Sequence, residues 1–284
     1  MPLKRNFARY ASSNTDGSVY LYRSLSEFES SPVTSGISSI AYGEGTLDLL
    51  LTRRESSNLV VIFHAAADPT SISLPVFVGQ GITQNLDSSV LFVSDPALDL
   101  QIPIGWYTGD KERHLQHDLH RVIHQIALAV GAENIVFQGS SAGGYAALTY
   151  SHAFPDSLAI AVNPQTDIYR YHQAKVDQYL SACWNGLKPD VGTAVTNAIS
   201  LYSESFPNYV LYAQNQHDEF HILNHYEPWA RRFDNLNGTR WQKIEGDWGD
   251  GHAPPPPFLQ EALLQYALSF EGRWDELIIK GDFD

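Results

Sequence analysis

The stretch Phe137-Gln138-Gly139-Ser140-Ser141-Ala142-Gly143-Gly144-Tyr145 limits what this chain can fold into more than any other. A β-type run, Asn134-Ile135-Val136-Phe137, leads into it, and an alanine-rich segment of helical character leaves it. Gly139-Ser140-Ser141-Ala142-Gly143 therefore reads Gly-x-Ser-x-Gly at a strand-to-helix bend. Such a bend holds its central residue in strained backbone geometry, with the side chain standing above the sheet edge. The residues two positions either side must be nearly free of side chain to clear one another, which glycine allows. Gly139 and Gly143 meet that demand around Ser141. Ser140 has no such flanks, so Ser141 is the candidate nucleophile.

The segments around the bend extend the pattern. Leu59 to Phe63 is a continuous apolar run, as expected of a strand buried on both faces. Ile40 to Tyr42, Leu47 to Leu51, Val90 to Val93, Leu158 to Val162, Tyr209 to Ala213 and Thr239 to Ile244 are further strand candidates. Helical patterns cover about Lys111 to Val130, where Gly131 acts as a C-cap, about Glu219 to Phe233, and about Pro257 to Phe270. Strands alternating with helices predict an α/β fold, a mostly parallel sheet covered on both faces. Residues 1–36 read as a polar, serine-rich, loosely held arm or edge strand, with residues 37–284 forming the α/β domain. The segment from about 166 to 207 is too long for a simple crossover and carries Tyr169, Tyr171, Tyr179 and Trp184. It is expected to form a helical cap over the carboxyl ends of the strands, where ligands sit in such sheets.

Length and composition bound the class. At 284 residues, with 43% hydrophobic and 18% charged residues, the chain can bury one substantial core. A net charge of −14 argues against a general nucleic-acid or anionic-membrane binder, which needs a cationic face. No run reaches the length of a membrane span. Cys183 is the only cysteine, and the opening Met1-Pro2-Leu3-Lys4-Arg5-Asn6 lacks the apolar stretch of a signal peptide. A cytoplasmic location is the expectation.

A serine hydroxyl needs a base to take its proton, and the base needs an acid to orient it. For a bend of this type the expected chain order is serine, acid, histidine. Asp218 follows the strand Tyr209 to Ala213, and His252 follows the last strand on a loop flanked by Gly249 and Gly251. Pro254 to Pro257 stiffen the exit from that loop. Ser141, Asp218 and His252 thus fall in order, each just past a strand. Glu219 and Asp167 are reserve acids. An oxyanion formed in acyl transfer needs two aimed backbone N–H groups. Ala142 is expected to supply one, and Ala65 or Ala66, after the strand Leu59 to Phe63, the other.

These features resemble the α/β-hydrolase superfamily over about residues 37–270. Ala65 and Ala66 depart from the His-Gly-Gly pattern of many esterases at that loop. The run Gly139 to Tyr145 with Asn163-Pro164-Gln165-Thr166 is also similar to hydrolase-type proteins linked to bacterial surface glycans, some of which transfer acetyl groups. The resemblance implies an α/β-hydrolase fold with a helical cap. It also implies a serine hydrolase that cleaves a carboxylic ester without metal or organic cofactor, its partner a small-molecule or glycan ester. Two rivals stand beside it: O-acyl transfer to a glycan or other alcohol with the same three residues, and a non-catalytic partner protein on the same fold.

Eleven histidines raise the question of metal. His217, His221 and His225 recur every fourth residue, but on a regular helix they lie opposite the stripe of Phe220, Leu223, Tyr226, Ala230 and Phe233, and so are expected to face solvent. His114, His117, His120 and His124 follow the same logic. No metal site is expected from either set. His64 ends a buried strand and reads as a satisfied core histidine, the alternative being that it holds the loop after it by a hydrogen bond.

Overall fold

Alternation along one strand organises the molecule. In the computed structural model, which describes residues 4–10, 18–68, 70–190, 192–281 and 283, Val61 and Phe63 point into one core while Val60 and Ile62 point into another. The continuous apolar run is therefore a strand covered on both sides. Residues 1–3 and 11–17 of the expected N-terminal arm and residue 191 of the expected cap lie outside the described residues.

The strands are β1 (Val19–Tyr22), β2 (Gly36–Tyr42), β3 (Gly45–Thr52), β4 (Asn58–Phe63), β5 (Ser89–Val93), β6 (Asn134–Ser140), β7 (Leu158–Val162), β8 (Tyr209–Asn215) and β9 (Trp241–Gly246). They form one sheet in the order β1-β2-β3-β5-β4-β6-β7-β8-β9. Only β3 runs against its neighbours, β2 and β5; the other described pairings are parallel. The long, mostly parallel stretch brings the carboxyl ends of β4, β6, β7, β8 and β9 to one edge.

Helices close both faces. Leu115–Val130 buries Leu115, Leu119, Val122, Ile123, Ile126 and Val130 and ends at Gly131, whose φ of 71° is the left-handed geometry of a C-cap. The helix that leaves the bend, Ala142–Ser151, is buried along its whole length, which explains its small, apolar composition. Pro257–Leu268 and Trp274–Lys280 cover the opposite face through Leu264, Ala267, Trp274 and Leu277. The last of these helices has no counterpart among the predicted elements. Its pattern is short and follows directly on another helix.

The insertion between β7 and β8 contains a 3-10 turn (Ile168–Arg170) and the helices Gln173–Trp184 and Ala198–Glu204. Tyr179, Cys183, Trp184 and Tyr202 are buried in it against Tyr145, Leu148 and Trp229. At the amino end, Arg5 pairs with Asp48 at 2.7 Å and Asp99 at 2.8 Å, and the Tyr10 hydroxyl donates to Pro75 O at 2.8 Å. These contacts pin residues 4–10 to the domain. Among the described residues, no helix is long and apolar enough to cross a membrane.

Candidate active site at the carboxyl edge of the sheet

Ser141 sits at the bend between β6 and the helix Ala142–Ser151, with φ 57° and ψ −118°. An L-residue adopts this backbone only under strain. The flanking glycines show how the bend is built. A Cβ on Gly139 would lie 2.2 Å from Gly143 O, and one on Gly143 would lie 2.3 Å from Phe63 O. The Ser141 N–H donates to Val162 O at 2.8 Å, tying the bend to β7. Ser141 is 5% exposed.

Asp218 follows β8 and His252 follows β9. The two meet: His252 Nδ1 lies 2.5 Å from Asp218 Oδ2. The loop that carries His252 is held from beneath by two asparagines. Asn215 Nδ2 donates to Gly249 O at 2.8 Å and Gly251 O at 2.7 Å, and Asn163 Nδ2 donates to Ala253 O at 2.9 Å. The His252 side chain remains 36% exposed. Among the described residues, no hydrogen bond joins His252 to Ser141. The reserve acids lie elsewhere: Asp167 caps the turn Ile168–Arg170 and accepts from Asn197, while Glu219 opens the short helix after Asp218.

Ser141 Oγ instead accepts from Gln165 Nε2 at 2.9 Å. The same nitrogen lies 2.8 Å from His221 Nε2, and His221 Nδ1 lies 2.9 Å from Asp218 Oδ1. The indole Nε1 of Trp106, which can only donate, lies 3.1 Å from Gln165 Oε1 and so sets the orientation of the amide. Gln165 Nε2 therefore spends one hydrogen on Ser141 and the other on His221. His221 accepts at Nε2 and carries its hydrogen at Nδ1, aimed at Asp218. The two imidazoles on Asp218 stack, with centroids 3.8 Å apart and planes 13° apart.

The electrostatics follow from this network. Burial disfavours charge on Asp218, but the donors from His221 and His252 outweigh it and hold the carboxyl well below its usual range. Burial lowers the pKa of His221, although Asp218 opposes the shift, so the ring favours its neutral form. Burial likewise holds His225 low, at about 2; its Nδ1 accepts from Thr166 N at 3.2 Å.

The expectation that His217, His221 and His225 face solvent is corrected in part. His217 is exposed, but His221 and His225 are 2% and 0% exposed. The predicted helix Glu219 to Phe233 is not regular. It runs as α over Glu219–His221, π over Ile222–Tyr226 and α over Glu227–Arg232. The wider turn shifts the register, so the regular 100° wheel puts the wrong face outward and Leu223 is left 58% exposed. His114, His117 and His124 are exposed and His120 is half-buried. Asp218, His221 and His252 offer ligand atoms within 4.8 Å of one another and could hold a cation. Their mutual hydrogen bonds already satisfy both carboxylate oxygens.

His64 does hold the loop that follows it. Its Nε2 accepts from Asp95 N at 3.0 Å, which places the ring hydrogen on Nδ1, 2.6 Å from Ala65 O. Burial keeps this ring neutral. Ala65 and Ala66 lie on that loop beside the bend. Within the described residues no hydrogen bond engages the N–H of Ala65, Ala66 or Ala142.

Sequence reasoning missed Gln165, His221 and Trp106. Gln165 was legible only as part of the run Asn163 to Thr166. Trp106 has φ 53° in a loop after β5 that carries no motif.

Comparison with known proteins bears on the fold. A family model described as an uncharacterised protein family (UPF0227) matches residues 98–235. No curated protein matches the sequence. The capsule O-acetyltransferase of Neisseria meningitidis serogroup A is 16% identical, with a TM-score of 0.54 over 87% of this chain and 97% of that one. A candidate esterase from Staphylococcus aureus is 14% identical, with a TM-score of 0.56 over 84% of each chain. A puromycin-hydrolyzing peptidase of Mycobacterium tuberculosis is 13% identical, with a TM-score of 0.55 over 87% of this chain and 40% of that one. Together with the sheet order and the bend at Ser141, these likenesses show that the chain has the α/β-hydrolase fold.

Proposed function

We propose that the protein is a serine hydrolase that cleaves a carboxylic ester through an acyl-enzyme on Ser141. The observation that carries this reading is the strained bend that presents Ser141 at the edge where Asp218 and His252 are joined. Gln165 donates to Ser141 Oγ, which leaves the hydroxyl hydrogen free for a base. A carboxamide is a poor proton relay, and Gln165 stands between Ser141 and His221. That favours His252 as the base and His221 as a positioning residue. His252 is the more exposed of the two imidazoles, sits on a loop and already meets Asp218, so on this reading its side chain moves to the hydroxyl when substrate binds.

In the proposed cycle Ser141 Oγ attacks the ester carbonyl carbon as His252 takes its hydrogen. The oxyanion is received by Ala142 N–H and by Ala65 or Ala66 N–H. His252 returns the proton to the leaving alcohol as the C–O bond breaks. Water, deprotonated by His252, then attacks the acyl carbon, the bond to Ser141 Oγ breaks to release the acid, and His252 returns the proton to Ser141 Oγ. Asp218 orients His252 and stabilises the imidazolium.

Hydrolysis of a panel of acyl esters tests this. Ser141→Ala should lower turnover about a thousandfold or more with the fold intact; full activity in that variant overturns the assignment. A second reading, acyl transfer to a glycan or other alcohol, draws on the fold likeness to the capsule O-acetyltransferase. Partition of a radiolabelled acetyl donor between free acetate and an added glycan separates the two.

A further inference from the structure

Resting on the acyl-enzyme reading, we propose that a cavity beside the loop 64–67 is an acyl subsite for an amide-bearing acyl group. The cavity holds about 350 Å³, within the range of small-molecule sites. Ile62, Val76, Val78, Ile82 and Pro257 give it apolar walls. It also reaches the site's own loops. Ala65 and Ala66 line it, as do Ser140, which precedes the nucleophile, and Pro254, which follows the His252 loop. An acyl carbonyl held by the N–H groups of Ala142 and of Ala65 or Ala66 would therefore have its chain beside this space.

One side chain in the cavity is out of keeping with its walls. Gln138, on β6 three residues before Ser141, lines the cavity and is 3% exposed. Its Oε1 finds no hydrogen-bond partner among the described residues. Gln165, by contrast, has both ends of its amide engaged. A buried carboxamide oxygen without a partner is costly, so such groups in folded proteins call for a reason. A carboxamide offers one acceptor and two donors, the complement of a secondary amide. A hydrocarbon acyl chain would fill the walls and leave Gln138 unpaired. An acyl group with an amide a few bonds beyond the carbonyl would fill them and, with the Gln138 carboxamide turned so that its oxygen meets the cavity, pair it. Sites built to hydrogen-bond a substrate reject analogues that lack the group.

The test uses binding, so it does not depend on turnover. Ser141→Ala protein is titrated by calorimetry with ethyl N-acetylglycinate and with its hydrocarbon counterpart, ethyl 4-methylpentanoate. Adding Gln138→Leu should shift the ratio of the two affinities about tenfold toward the hydrocarbon. An unchanged ratio, or no binding of either ester, overturns the proposal. Val78→Trp guards against a Gln138 variant that fails to fold, because Val78 is 47% exposed and tolerates a larger side chain. It should obstruct the cavity and weaken both esters several-fold; undiminished binding of both overturns the subsite. Turnover of the same esters by the unmutated protein is read separately. An intact amide preference without Ser141-dependent turnover would sink the acyl-enzyme reading and leave the subsite standing.

Discussion

Ser141 meets Asp218 through a carboxamide and one imidazole, and not through His252. It is tied to Asp218 through Gln165 and His221, while His252 takes the other carboxylate oxygen. Replacing His221 with Phe keeps a ring to stack on His252 but removes both hydrogen bonds. If His252 is the base as proposed, turnover should fall about tenfold, far less than in His252→Ala, because only a positioning contact is lost. An equal loss in the two variants would contradict that division of roles. Gln165→Leu should likewise reduce kcat by about tenfold, read against an unchanged circular dichroism spectrum. The meeting of Asp218 with His252 was legible because each lies just beyond a strand. Gln165 and His221 were not, since their roles exist only when residues 24 and 56 positions apart meet. No local pattern encodes that meeting.

At the scale of elements, the bend and the His252 loop are the parts most exposed to mutation. Gly139→Ala puts a Cβ against the carbonyl oxygen of Gly143, backbone that cannot swing away. It should cost about 1–3 kcal/mol, measured as a lower urea midpoint, and displace Ser141. Asn215→Ala should leave the sheet intact yet slow turnover, since Asn215 Nδ2 holds both Gly249 O and Gly251 O beneath His252. The bend was legible because its steric demand falls on glycine at fixed spacing. The segment after β8 was not, because hydrophobic periodicity assumes 3.6 residues per turn and the π turn at Ile222–Tyr226 breaks that assumption. A regular wheel turns His221 and His225 outward for that reason.

Across the whole molecule, burial of neutral histidines sets the pH response. His64, His221 and His225 all have their pKa lowered from 6.5, burial being the largest cause. Below about pH 6.5 the unfolded chain takes up protons that the folded chain refuses, so stability falls as pH falls. Each ring contributes at most ~1.4 kcal/mol per pH unit. Asp218, held low by its imidazole donors, acts in the same direction once the pH drops below about 3.8. Asp48, Asp95 and Asp167, lifted mainly by burial, oppose the loss over the acid range above 3.8. Thermal unfolding should therefore lose less Tm between pH 6.5 and 5 in a His225→Phe variant than in the unmutated protein, and an equal loss would contradict this assignment of protons. The sheet itself was largely legible, since apolar runs and their spacing mark parallel strands. The central claim is that Ser141 is an activated nucleophile. Labelling the protein with a fluorophosphonate probe and locating the adduct by peptide mass spectrometry tests it most directly. The account predicts one adduct, on Ser141, lost in Ser141→Ala and strongly slowed in His252→Ala; labelling that is absent, or that falls on another residue, would contradict it.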